Sequence, residues 1–198
     1  MLSDYWVKVF CGGIATFLLF EFMWYISGII LSKTQSKRGF RKISLKQWNK
    51  DALKPDYPNI IKYEDIKFPS RATAKSGGYD IFSPIGFVLK PGEDIKVPTG
   101  IKTYMLDSEK FEISPRSGLG FNYYLRLANT IGKIDSDYID SEETEGHIWI
   151  KVRNEGNIPV TINKNDAFAQ GSFEDYKLID GDSFIGKKRK GGLGSTSQ

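Results

Sequence analysis

The chain has 198 residues with 40% hydrophobic content, 20 glycines and 8 prolines, which suits one globular domain plus an appendage and many turns. The formal net charge of +4 comes largely from two short basic runs, Lys33 to Lys42 and Lys187 to Lys190, so no dispersed nucleic-acid face is indicated and no nucleic-acid partner is expected. The one cysteine, Cys11, excludes an intrachain disulfide and a cysteine-based zinc site, and the one histidine, His147, excludes a histidine-cluster metal site; any metal must take oxygen ligands, as Mg2+ does.

The first element lies in residues 1–31, where Val9 to Leu31 is almost wholly apolar. At about 1.5 Å per residue a helix of that length crosses a hydrocarbon layer of about 30 Å. Trp24 and Tyr25 suit one interface, and Tyr5 and Trp6 the other. Lys33, Lys37, Arg38, Arg41 and Lys42 follow, and the positive-inside rule then places everything downstream in the cytoplasm. The expectation is a membrane-anchoring helix. Glu21 opposes it, because a carboxyl in mid-membrane costs on the order of 2–3 kcal/mol. A cleaved signal peptide fits poorly: the run is long, and it lacks a basic n-region and a small-residue cleavage site. The alternatives are a hydrophobic helix outside any bilayer, or an extension from a misassigned start codon.

Residues 32–59 read as a basic linker and a short helix. Ser32 to Arg41 is polar, and Ser44 to Gln47 has capping-box spacing that starts a helix running through Ala52 or Leu53. Pro55 and Pro58 end it. From Ile60 onward the period changes to that of strands. Phe87 and Leu89, Ile95 and Val97, and Ile148, Ile150 and Val152 alternate with other residues. Pro91-Gly92, Pro98 to Gly100, Asn154 to Gly156 and Asn163 to Asn165 supply turns. Many short strands without a long helical period indicate an all-β sandwich or jelly roll over residues 60–198. The Gly-, Lys- and Ser-rich stretch at 186–198 reads as a flexible tail. Tyr79 and Phe82 are assigned to the core. His147 is expected on a strand, facing solvent or a hairpin neighbour, with no chemistry.

Five stretches are more specific than β-rich composition requires: Ser76 to Asp80 (SGGYD), Pro115 to Gly120 (PRSGLG), Asn129 to Tyr138 (NTIGKIDSDY), Asn165 to Gly171 (NDAFAQG) and Gly191 to Thr196 (GGLGST). Nucleoside triphosphate hydrolysis needs a carboxylate to orient and deprotonate water, cationic and N–H donors for the phosphates, and a divalent metal. Each stretch offers part of that set. In order, spacing and wording the five resemble the motifs of the trimeric dUTPase family, over about Ile60 to Thr196. The long insertion Ile139 to Glu145 resembles members from phages and their Gram-positive hosts. The resemblance implies a dUTPase-like jelly roll (β-clip) and a homotrimer with shared active sites. It also implies a dUTP diphosphatase that makes dUMP and pyrophosphate, keeping uracil out of DNA and supplying dUMP for dTTP synthesis.

Carried over residue by residue, the resemblance makes Asp135 the catalytic carboxylate that holds the water attacking the α-phosphorus. Tyr138 packs under the deoxyribose and excludes a 2′-hydroxyl, and Asn129 helps to read uracil. Arg116, Ser117 and Gly118 serve the phosphates, Ser117 as a donor and Gly118 by letting backbone N–H groups approach. Asp80 and Gln170 reach Mg2+ through water. In the fifth motif Leu193 replaces the Phe that stacks on uracil. Lys188 stands where the family has Arg and Arg189 where it has Gly, so either side chain is the candidate phosphate clamp; Lys lacks Arg's bidentate fork. Gly194, Ser195 and Thr196 complete a tail that closes on the γ-phosphate. The rivals are a dUTPase-like module that regulates a partner in response to nucleotide, favoured by the altered fifth motif, and a dCTP deaminase, opposed by Asp137 and Tyr138.

Overall fold

The structure, a computed structural model, describes residues 19–25, 37–54, 56–184, 186 and 189–192. The chain divides into two units, Met1–Lys37 and Arg38–Gln198. In the first, residues 19–25 are helical and exposed, and the rest of the anchor expected over 9–31 lies outside the described residues. Among the described residues no helix is long and apolar enough to cross a membrane.

The second unit starts earlier than the sequence reading put it. Gly39–Lys42 forms a strand, β1, instead of the end of a linker. It pairs antiparallel with β5 (Ile101–Tyr104), from Gly39 opposite Tyr104 to Lys42 opposite Ile101. The strand forms because Phe40, set among the basic residues, is apolar and packs inward. Its ring sits 5.3 Å from that of Phe111, 5.4 Å from Tyr79 and 5.6 Å from Phe173. Burial in an aromatic cluster of this kind outweighs the solvation of the neighbouring charges, which stay at the rim. Arg41 lies over the Tyr104 ring at 4.5 Å.

Helix α1, Leu45–Ala52, begins where the capping signal places it, with the Gln47 N–H donating to Ser44 Oγ at 3.1 Å. The reciprocal arm of the capping box differs. The Gln47 side chain turns inward to donate to Asp51 Oδ2 at 2.8 Å. Glu145 instead accepts from the Ser44 N–H at 2.9 Å and from its hydroxyl at 2.7 Å. The inner face of α1 carries Trp48 and Ala52, which belong with Ile43 to the main core. Trp48→Ala is therefore expected to cost about 3–5 kcal/mol, read as a lower denaturant midpoint in equilibrium unfolding; a change below about 1 kcal/mol would detach α1 from the core.

The remaining strands are β2 (Tyr79–Phe82), β3 (Phe87–Leu89), β4 (Asp94–Pro98), β6 (Glu109–Pro115), β7 (Leu125–Leu127), β8 (Gly132–Asp135), β9 (Trp149–Asn154), β10 (Val160–Ile162) and β11 (Ala167–Asp175). A four-stranded sheet runs β2-β11-β6-β8, a three-stranded sheet β4-β9-β7, and β3 pairs with β10. Every named strand pairing is antiparallel, and the fold is mostly β as expected. The period of two decides what is inside: Phe111 and Ile113 of β6, and Ile150 and Val152 of β9, are buried. The expected turns form as well. Gly100 carries φ +75°, and a Cβ there would press on Trp48 and Ile66, so only glycine closes the turn against α1. A short helix unforeseen in the sequence, α2 (Ser117–Tyr123), follows β6.

Candidate active site

The third stretch forms one side of the site. Asn129 and Thr130 make the turn between β7 and β8. Thr130 has φ +65°, and Ile131 N–H donates to the Asn129 carbonyl at 2.7 Å. The Asn129 side chain is left exposed. β8 ends at Asp135, and a single 3-10 turn, Ser136–Tyr138, follows. The Asp135 carboxylate is half exposed, while Tyr138 is buried. The strand end thus presents a solvated acid beside a packed aromatic ring. The Tyr138 hydroxyl donates to the His147 carbonyl at 2.9 Å and accepts from Thr144 Oγ1 at 3.2 Å. Burial holds this phenol above its ordinary pKa, so it stays a neutral donor.

Arg189, one of the two candidates for the phosphate clamp, lies against the third stretch. Its Nη2 lies 2.5 Å from Asp135 Oδ2 and its Nε 3.3 Å from Asp137 Oδ1. That Nε is enclosed without hydrogen-bond geometry, so the fork is only half engaged. Nearby, the Glu143 N–H donates to the Lys190 carbonyl at 3.1 Å. Gly192 lies on the Tyr138 ring so closely that a Cβ would come within 2.7 Å of it. Residues 189–192 therefore rest on the hairpin of their own chain. Between Lys133, Ile134, Tyr138, Trp149 and this stretch a cavity of about 80 Å³ remains. Nucleotide-sized sites start at roughly 300 Å³, so with residues 189–192 in this position the cavity is too small for a nucleotide. Lys188, Leu193, Gly194, Ser195 and Thr196 lie outside the described residues.

The first, second and fourth stretches form a second cluster. In the sheet register Asp80 stands opposite Gln170, and Gln170 opposite Ser114. Arg116 Nη2 lies 3.3 Å from Asp80 Oδ2, and Gln170 Nε2 donates to the Pro115 carbonyl at 3.3 Å. Gly171 follows Gln170 where a Cβ would run into the Phe111 ring, so the glycine lets β11 lie flat on the core. Ser117 opens α2 and is exposed. Gly118 has nothing within 4 Å of where a Cβ would stand. Among the described residues no neighbour demands that glycine, and its backbone stands open.

A single chain does not bring the two clusters together. Asp135 faces Lys110 on β6, whereas the Asp80–Gln170–Ser114 row crosses β6 four residues further along. With about 3.3 Å per residue and about 4.8 Å per strand, the offset is on the order of 20 Å. Within one chain the Arg116–Asp80–Gln170 cluster therefore stands well apart from the Asp135 end of β8.

Mg2+ fits the second cluster only loosely. Asp80 is one carboxylate already facing Arg116, and Gln170 offers one amide oxygen. Among the described residues no three of His, Cys, Asp and Glu gather into a metal cage. So small a donor set suits a hard cation carried mainly by water and phosphate oxygens.

His147 is where the structure corrects the sequence reading. It is fully buried rather than solvent-facing. Alternation along Ile148, Ile150 and Val152 assigned His147 to the outer face, but the chain turns at Gly146, φ +79°, before the strand begins. Its Nε2 accepts the Gly100 N–H at 2.9 Å, so the proton must sit on Nδ1, which donates to Asp51 Oδ2 at 2.7 Å. Burial lowers the imidazole's pKa and outweighs the pull of Asp51, which keeps the ring neutral. Burial alone would raise the Asp51 carboxyl, but hydrogen bonds from His147 and Gln47 hold it below its ordinary range.

The family model described as dUTPase matches residues 64–190. The chain is 37% identical over 140 residues to the deoxyuridine 5′-triphosphate nucleotidohydrolase of Lactococcus lactis, covering 69% of this chain and 93% of that one. It is 37% identical over 120 residues to the enzyme of the same name from Shewanella piezotolerans, covering 57% and 75%. Among solved structures it is similar to the dUTPase from Streptococcus mutans, with a TM-score of 0.56 and 31% identity over 72% of this chain and 99% of that chain.

Proposed function

The chain belongs to the dUTPase family, and we infer from that membership that it is a dUTP diphosphatase, cutting dUTP to dUMP and pyrophosphate. The observation that carries the residue-level reading is the end of β8, where the half-exposed Asp135 carboxylate stands beside the buried Tyr138 ring. In this reading Asp135 orients a water molecule and takes its proton as the oxygen attacks the α-phosphorus. The bond from that phosphorus to the bridging oxygen breaks, and pyrophosphate leaves. Tyr138 supports the deoxyribose, and Asn129 faces the base. Arg116, Ser117 and the backbone at Gly118 hold phosphate oxygens, and Arg116 also keeps Asp80 in place through the 3.3 Å contact. Arg189 exchanges Asp135 for the phosphates, while Lys188, Leu193, Gly194, Ser195 and Thr196 complete the closing tail. Asp80 and Gln170 would hold Mg2+ through water, and the ion would supply charge neutralisation to the phosphates.

The separation between the two clusters supports a homotrimer in which one subunit supplies Asp135 and Tyr138 and a neighbour supplies Arg116, Asp80 and Gln170. Such sites can be complemented. Asp135→Asn and Arg116→Ala proteins are each expected to release almost no pyrophosphate from dUTP. Unfolded and refolded together in equal amounts, they should recover activity in about a quarter of the sites, those pairing an intact Asp135 with an intact neighbouring Arg116. Recovery no greater than the sum of the separate proteins would place both residues in a site within one chain.

A further inference from the structure

We infer that the buried Asp51–His147 pair is a positioning element for Tyr138, so that α1, which lies upstream of the residues matching the family, governs how strictly the site tells deoxyribose from ribose. The inference rests on the reading that Tyr138 packs under the sugar.

The argument follows the hydrogen bonds outward from that ring. The Tyr138 hydroxyl donates to a backbone atom, the His147 carbonyl, at 2.9 Å. That carbonyl moves only if His147 moves, and the His147 ring is held at both nitrogens, by the Gly100 N–H and by Asp51. Trp149 and Trp48 pack against it with ring centroids 5.0 and 6.4 Å away. Asp51 is itself fixed on α1 by the Gln47 amide. The same helix grips the loop before His147 at two more points. Glu145 takes both Ser44 donors, and Lys50 Nζ donates to the Glu143 carbonyl at 3.1 Å. The loop supplies the second partner of Tyr138 too, since Thr144 Oγ1 reaches its hydroxyl and is tied in turn to Ser141 Oγ at 2.8 Å. A helix with no phosphate-binding residue thus sets the height of the aromatic floor. Excluding one hydroxyl group is a matter of fractions of an ångström in a close-packed site, and a floor that sinks by that much admits a ribose.

The test uses the full-length protein with Mg2+, and reads kcat and KM for dUTP and for UTP. Asp51→Ala, which removes the acceptor of both His147 and Gln47, is expected to lower the dUTP-over-UTP ratio of kcat/KM by about tenfold, and Asp51→Asn to recover part of it. Subunit assembly and thermal unfolding of each variant are recorded alongside. A folded, assembled Asp51→Ala protein with the parent's ratio overturns the inference. If that protein does not fold, Tyr138→Phe carries the test: it keeps the ring and removes the hydroxyl's ties to His147 and Thr144, both of which α1 holds in place, and an unchanged ratio overturns the inference equally. Tyr138→Ala separates this outcome from failure of the underlying reading. If Tyr138→Ala keeps full preference for dUTP, Tyr138 is not the sugar floor. If it loses the preference while Asp51→Ala and Tyr138→Phe keep it, only the role of α1 falls.

Discussion

Replacing Asp135 by Asn is expected to lower dUTP turnover by about a thousandfold, the scale of a lost general base, while dUTP binding persists. The substitution preserves shape and one acceptor oxygen, so the end of β8 keeps its backbone pairing to Lys110. What disappears is the charge that orients water and receives its proton. The fold should tolerate the change. Asp135 is half exposed, and its contact with Arg189 is of the solvent-screened kind that contributes little to stability. Binding should hold or tighten, because a negative charge beside the triphosphate is gone and Arg189 loses one of its two competing carboxylates. Single-turnover pyrophosphate release, set against equilibrium binding of a non-hydrolysable dUTP analogue, separates the two effects. Full turnover in the variant would remove Asp135 from the mechanism, and joint loss of binding and turnover would recast it as a binding residue.

Deleting Gly186 to Gln198 is expected to cut turnover by about two orders of magnitude, the usual scale for removing fixed charge donors from a developing phosphate charge. The strands and the apolar core all lie upstream of Tyr176, so the truncated protein should unfold at nearly the parent's denaturant midpoint. The deletion also uncovers Tyr138 and Asp135 and widens the cavity left by residues 189–192. Access should therefore improve even as catalysis collapses: kcat falls steeply while product leaves faster. An unchanged kcat would show the tail to be idle. Arg189→Lys refines the outcome, because it keeps the charge but not the planar fork that spans Asp135 and Asp137.

What the sequence made legible follows from how local each feature is. The Ser44 cap, the turns at Gly92 and Gly100, and the alternation in β4 and β9 are written in neighbouring residues, and they appear where expected. Asp80 and Gln170 were picked from separate motifs, and strand register places them opposite one another. β1 escaped notice because its stability comes from Phe40 meeting rings that lie 39, 71 and 133 residues away, at Tyr79, Phe111 and Phe173. The contact of Arg189 with Asp135 is not legible either, because it turns on a chain reversal and spans 54 residues. His147 was misassigned for the same reason. Its partners, Asp51 and Gly100, lie 96 and 47 residues away, and no periodic pattern records such pairings.

The gap between the Asp135 end of β8 and the Arg116–Asp80–Gln170 row also has a consequence for dosage. If neither patch completes a pocket alone, catalytic capacity is a property of the assembly and vanishes faster than protein level when subunits become scarce. A cell that lets this chain fall below its association threshold would lose uracil sanitation abruptly. One defective copy mixed among sound ones would spoil sites on its neighbours as well as its own.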